Sequence, residues 1–107
     1  MNDTQYVEAA RHFAARMMKE GGSTAEDRIA FAFRFATSRF PTRDETAVLV
    51  RLYEKHLADF RGDSDAAIKF LTVGDSPRDE SLNAAEYAAW TMIANLILNL
   101  DETISKG

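Results

Sequence analysis

The chain has 107 residues, no cysteine and a formal net charge of −4, from 13 Lys and Arg against 17 Asp and Glu. This length predicts a single domain over residues 1–107 with too little interior volume for a deep cofactor cavity, so we expect no cofactor. The absence of cysteine excludes disulfides, thiolate zinc sites, iron–sulfur clusters and covalent haem attachment. Scattered basic residues argue against nucleic acid, and apolar runs shorter than the ~18 residues of a membrane span argue against membrane insertion.

The first two predicted helices follow from apolar spacing and from the residues at their ends. Apolar residues recur every three or four positions from Thr4 to Glu20, and Gly21-Gly22 supplies a left-handed stop. Ser23 followed by Glu26 has capping-box spacing, which opens a second helix that we expect to reach the Phe40-Pro41 boundary. This helix carries apolar residues on more than one face, which is typical of a buried position.

Three further helices complete the predicted fold. Thr42 and Glu45 form a second capping-box pattern before a helix that ends at Gly62, and Ser64 caps a short helix ended by Gly74. A loop from Asp75 to Asn83 follows, and Asn83 opens the last helix, which runs toward Asp101. The sequence therefore predicts an all-α fold, a compact bundle of about five helices with short connections.

No residue pattern in the chain points to catalysis or to a metal site. His12 and His56 lie on different predicted helices, and neither has a second ligand at the spacing that builds a metal face on a helix. We expect His56, on an apolar seam, to be a half-buried ring. The sequence also lacks a nucleophile elbow or a Ser-x-x-Lys pair, so we expect the chain not to be an enzyme.

Five residues are candidates for binding a small polar ligand. Asn95 and Asn99 lie one turn apart in an otherwise apolar helix, where buried amides must be paired. They either tie this helix to loop carbonyls or form a polar notch. Arg78, in the charged loop, holds a carboxylate of its own domain or of a partner. Tyr87 and Trp90 would add aromatic surface to such a notch.

Three stretches of the chain together form a recognisable pattern. The first runs from Asn2 to Arg11, the second combines Ala32-Phe33-Arg34 with Arg39-Phe40-Pro41 and Glu45, and the third runs from Ala89 to Asn99-Leu100-Asp101-Glu102-Thr103. The amides and acids of the third are its most specific part. Through these stretches, which span nearly the whole chain, the sequence resembles the C-terminal part of the planctomycete-type PSD domain, a domain of unknown function numbered fifteen fifty-three.

This resemblance implies a context more than an activity. It implies that the chain is the C-terminal fragment of a larger multi-domain protein exported to the periplasm or cell surface, and that Met1 is not a biological start. The family has no established activity, so no site residue is carried over from it.

Three functional hypotheses follow from the residues and this implied context. The first is a non-enzymatic helical module that packs on upstream domains of the same protein or on a partner subunit. The second is binding of a saccharide or another small polar ligand at Arg78, Tyr87, Trp90, Asn95 and Asn99. The third is that the domain completes an active site formed mostly by the rest of the parent protein. The first predicts an exposed apolar patch larger than monomers usually carry.

Overall fold

The computed structural model describes residues 4–72 and 78–106, and the side chains of residues 7–72 and 78–100. These residues form five α-helices and no strand, which confirms the predicted all-α bundle. The helices are α1 (Thr4–Glu20), α2 (Ala25–Thr37), α3 (Arg43–Gly62), α4 (Ser64–Leu71) and α5 (Ala84–Lys106). None of the described helices combines the length and the apolar character that crossing a membrane requires.

Helix α5 is the centre of the bundle, because all four other helices pack against it. Its sequence explains this position. Apolar residues occupy several of its faces, so the helix must be covered on more than one side to keep them out of water. The ring of Trp90 stacks on Tyr53 of α3 with 3.9 Å between the ring centroids. The buried α5 residues are Tyr87, Ala88, Ala89, Trp90, Thr91, Ile93, Ala94 and Ile97.

A buried arginine joins α1 to the end of α4. The guanidinium of Arg11, which is fully buried, donates a hydrogen bond to the backbone carbonyl of Leu71, and it lies 4.0 Å from the carboxylate of Glu8. A carbonyl in the last turn of a helix has no partner within that helix, so a buried helix end needs a donor from elsewhere. Arg11 supplies it for α4.

Local signals in the sequence set several helix ends as predicted. The Thr42 hydroxyl accepts from the backbone N–H of Glu45 at 3.1 Å, and the Glu45 carboxylate accepts from the backbone N–H of Thr42 at 2.8 Å. This reciprocal pair is the predicted capping box of α3. The Asn83 side chain likewise accepts from the backbone N–H of Glu86 at 3.0 Å and caps α5. Gly22 has φ +94°, the left-handed conformation expected after α1.

Two predicted helix caps are wrong by one residue. The N-cap of α2 is Thr24 rather than Ser23, because the Thr24 hydroxyl accepts from the backbone N–H of Asp27 at 3.1 Å. The N-cap of α4 is Asp63 rather than Ser64, and its carboxylate accepts from the backbone N–H of Ala66 at 3.1 Å. In both cases two adjacent residues are able to cap, and the path of the preceding chain selects one of them.

The predicted end of α2 is also corrected. The helix stops at Thr37, because Ser38 adopts a left-handed conformation with φ 63° and donates its backbone N–H to the carbonyl of Arg34. Residues 38–42 then connect to α3 outside any helix. The end of α4 lies at Leu71, and Gly74, the predicted stop, is outside the described residues.

Candidate functional site

The two aromatic candidates from the sequence lie in the core. Tyr87 and Trp90 are 2% and 1% exposed, and burial raises the pKa of the Tyr87 hydroxyl. The indole Nε1 of Trp90 is buried and has no hydrogen-bond acceptor among the described residues. A ligand would reach these rings only if α5 moved away from its neighbours.

The two amides of α5 lie nearer the surface. Asn95 and Asn99 are both half-buried. The side-chain oxygen of Asn95 is buried and has no hydrogen-bond partner in the described part of the chain. This oxygen is an acceptor, so it does not test the expected tie of the amide N–H groups to loop carbonyls, and residues 75–77 of that loop lie outside the described residues.

The charged segment before α5 is held by Asp79 and not by Arg78. Half-buried Arg78 forms no ion pair with a residue that the structure describes, whereas Asp79 pairs with Lys19 of α1 and accepts from the backbone N–H of Ser81 at 3.0 Å. The Lys19 ammonium, followed by the Ser81 donors, holds the pKa of Asp79 well below its ordinary value. The three surface clefts described below are lined by none of the five candidate residues.

An apolar cleft opens between α2, α3 and α5, and we call it the α3–α5 cleft. It has a volume of about 340 Å³. Two of its lining side chains are exposed although they are apolar: Val48 at 51% and Leu96 at 38%. The full lining consists of Phe33, Asp44, Glu45, Val48, Leu49, Leu96 and Leu100. The cleft thus has apolar walls and carboxylates in its lining.

One of these carboxylates belongs to a connected polar group. Two nitrogens of the Arg39 guanidinium donate to the two carboxylate oxygens of Glu45, each at 3.0 Å. The same carboxylate accepts from the backbone of Thr42. These donors, with Arg39 the largest contributor, lower the pKa of Glu45 to about 2 from an ordinary value of 4.5. The group links the segment after α2 to the first turn of α3.

Two further clefts lie on other faces. One of about 640 Å³ is lined by side chains of both charges and a few apolar ones: Glu26, Pro41, Arg43, Thr46, Ala47, Val50, Arg51 and Glu54. The other, of about 250 Å³, is lined by Phe31, Arg34 and Phe35 of α2. Sequence reasoning missed all three clefts. The available signal was the set of apolar residues beside the buried stripes, such as Val48, Phe35 and Leu96.

The histidines do not form a metal site. His12 is exposed and His56 is half-buried, as predicted for His56, and the described residues contain no group of three side chains able to hold a metal ion.

Comparison with known families confirms the resemblance for the N-terminal half of the chain. Residues 1–53 match the family described as PSD1, protein of unknown function (DUF1553). The match covers α1, α2 and the first half of α3. It does not include the motif from Ala89 to Thr103, so the assignment of that motif stays a prediction. Neither a curated protein nor a solved structure matches the chain.

Proposed function

We propose that this chain, whose first 53 residues match DUF1553, is a non-enzymatic helical module that packs on upstream domains of the same protein or on a partner subunit. The observation that carries the proposal is the α3–α5 cleft, where Val48 and Leu96 present exposed apolar side chains beside the buried rings and side chains of the core. Apolar side chains beside a carboxylate are a surface on which a protein segment can pack, but the apolar lining of this cleft by itself is smaller than the patch that the sequence analysis predicted.

The energetics favour a protein segment as the occupant of this cleft. Removing apolar surface from water stabilises a complex by about 25 cal/mol per Å². A volume of about 340 Å³ accommodates a few apolar side chains. Apolar walls give affinity, and the Asp44 carboxylate gives a preference for a partner that carries a basic or donor group near its apolar residues, whereas Glu45 is already paired with Arg39.

The causes of the pKa shifts support the non-enzymatic role that we propose. The carboxylates of Glu20, Glu45 and Asp79 have lowered pKa values because each pairs with a surface cation. The hydroxyls of Tyr53 and Tyr87 have raised pKa values because they are buried. Structural ion pairs and burial explain these shifts, so none of them requires a catalytic role.

Binding measurements on the two parts of the parent protein test the proposal. The upstream part and this chain are produced separately, and their association is measured by isothermal titration calorimetry, with self-association of this chain followed by analytical ultracentrifugation. Val48→Glu and Leu96→Glu should each weaken the complex by about tenfold or more, because a carboxylate is buried against an apolar wall. Ile68→Glu is the matched control, since Ile68 is 39% exposed on α4 and does not line the cleft.

Two results would contradict the proposal. One is an association that the cleft variants leave within about twofold of the unchanged chain. The other is a chain that neither binds the upstream part nor self-associates. Circular dichroism of each variant separates a lost interface from a lost fold.

The alternative, binding of a small polar ligand, has one observation in its favour. The buried side-chain oxygen of Asn95 and the buried Nε1 of Trp90 lack partners among the described residues, and a ligand that entered as α5 moved away from its neighbours would supply them. Titration of the ¹⁵N-labelled chain with mono- and oligosaccharides tests it. Saturable shifts at Trp90 Nε1 that Asn95→Leu abolishes would support this alternative, and unchanged spectra would remove it.

A further inference from the structure

Three arginine side chains on one part of the molecule share the same local arrangement. Each places its guanidinium over the face of a phenylalanine ring, at a distance typical of a cation–π contact. The distances from guanidinium carbon to ring centroid are 4.7 Å for Arg16 over Phe35, 4.5 Å for Arg34 over Phe40 and 4.7 Å for Arg39 over Phe33.

In two of these pairs a glutamate completes the arrangement. Arg16 donates to both carboxylate oxygens of Glu20, at 3.0 and 3.1 Å, and Arg39 donates to both oxygens of Glu45 at 3.0 Å. The ring covers the face of the guanidinium, and the carboxylate accepts hydrogen bonds from the N–H groups at its edge. Planar Arg favours this combination of stacking and bidentate hydrogen bonding.

The third arginine, Arg34, stacks on the Phe40 ring but has no carboxylate partner among the described residues. It forms no ion pair with any residue of the described segments, and no Asp or Glu stands three or four positions from it along the helix. Its surroundings are unusually apolar for a surface: Phe35 and Phe40 are 60% and 63% exposed. With Phe31, Arg34 and Phe35 also line a cleft of about 250 Å³.

We propose that the Arg34 guanidinium, stacked on Phe40, binds the carboxylate of an Asp or Glu side chain on a partner protein, and that an apolar neighbour of this acid enters the cleft beside Phe31 and Phe35. The charge complementarity is specific, because the two equivalent arginines already hold a glutamate in the same way. Exposed aromatic residues around an arginine are also the composition of interface hot spots. This surface is chemically distinct from the α3–α5 cleft, whose own charged groups are carboxylates.

Selection from a library of random peptides about 12 residues long tests this surface with no partner protein chosen in advance. The immobilised 107-residue chain should enrich peptides in which Asp or Glu adjoins an aromatic or aliphatic residue. Their affinity should fall by about tenfold or more with Arg34→Gln, which removes the charge and one side of the fork. Arg43→Gln, at another exposed arginine, is the matched control and should change affinity by less than about twofold.

A second pair of variants supplies the carboxylate within the chain. Ala30 lies one helical turn before Arg34, the spacing at which a glutamate pairs best with a following arginine. Ala30→Glu should therefore compete for Arg34 and reduce peptide affinity by about two- to threefold, whereas Ala30→Gln should leave the affinity unchanged.

The outcomes separate this surface from the proposed function. Selected peptides without an excess of acids, peptides that bind the Arg34→Gln chain as tightly as the unchanged chain, or a selection that yields no binder would each overturn the Arg34 proposal. Peptides lost with Val48→Glu instead would assign the binding to the α3–α5 cleft. Failure at Arg34 leaves the proposed cleft interface untouched, because that interface is measured with the upstream part of the parent.

Discussion

Replacing Glu45 with glutamine removes one charge from the polar group that Glu45 forms with Arg39 and Thr42. The carboxylate accepts two hydrogen bonds from Arg39 and one from the backbone N–H of Thr42, and Thr42 returns one to the backbone N–H of Glu45. Glutamine keeps the shape and one acceptor oxygen. Glu45→Gln therefore measures the charge while it preserves most of the cap.

The expected loss in the free energy of unfolding is about 1 to 1.5 kcal/mol near pH 7. The pKa of Glu45 is about 2 against an ordinary 4.5, a difference that corresponds to about 3 kcal/mol if it is converted in full. The Glu45 side chain is 35% exposed, so solvent screening reduces this figure toward the values of surface pairs and helix caps. In thermal unfolding, the loss lowers the midpoint by about 4 to 8 °C for a domain of this size.

Urea denaturation followed by circular dichroism, repeated from about pH 7 down to about pH 2, measures this effect. The folded-state pKa of Glu45 is lowered, so its stabilisation is complete above the ordinary pKa of 4.5 and is lost as the pH falls toward about 2. The stability curves of the unchanged chain and of Glu45→Gln should therefore converge over this window. Glu54→Gln, at an exposed glutamate of α3 without an ion pair among the described residues, is the control.

The reasoning would be refuted by either of two results. One is a Glu45→Gln chain as stable as the unchanged chain at pH 7. The other is a stability difference that stays constant down to pH 2, which would assign the effect to shape rather than to charge.

Three further predictions about the free energy of unfolding can be checked in the same denaturation assay. Thr24→Ala should cost about 1 kcal/mol while Ser23→Ala costs almost nothing, because Thr24 is the cap of α2; equal effects would contradict this assignment. Ser38→Gly should stabilise the chain by about 0.5 to 1 kcal/mol, because glycine adopts a φ of 63° without strain; a loss would contradict it. Trp90→Ala should cost about 3 to 5 kcal/mol and Leu96→Ala less than about 1, and similar costs would contradict the burial of Trp90.

The features that sequence reasoning predicted correctly depend on neighbouring residues. Side-chain hydrogen bonds to the backbone act within one helical turn, and they form the capping box at Thr42 and the cap at Asn83. The range of α1 follows from the spacing of apolar residues within that helix. The buried position predicted for α2 belongs instead to α5, against which all the other helices pack, and Phe35 of α2 is 60% exposed.

Sequence reasoning missed the features that depend on contacts between residues far apart in the sequence. Trp90 and Tyr87 were candidates for the aromatic surface of a polar notch, but the Trp90 ring stacks on Tyr53 of α3, 37 positions earlier in the sequence. Likewise, the ion pair expected at Arg78 is not formed with any described residue, whereas the neighbouring Asp79 pairs with Lys19 of α1. The periodicity of a single helix does not specify which partner helix covers which face.

The early end of α2 has the largest consequence for the surface. In a continuous helix, residues six apart lie about 240° apart around the axis, so Arg34 could not cover the ring of Phe40. Because Ser38 turns the chain at Thr37, Phe40 folds back to within 4.5 Å of the Arg34 guanidinium. The same turn brings Arg39 to Glu45 in the next helix. One left-handed residue therefore creates both the internal arginine–glutamate fork and the exposed arginine–phenylalanine pair that we assign to a partner's carboxylate.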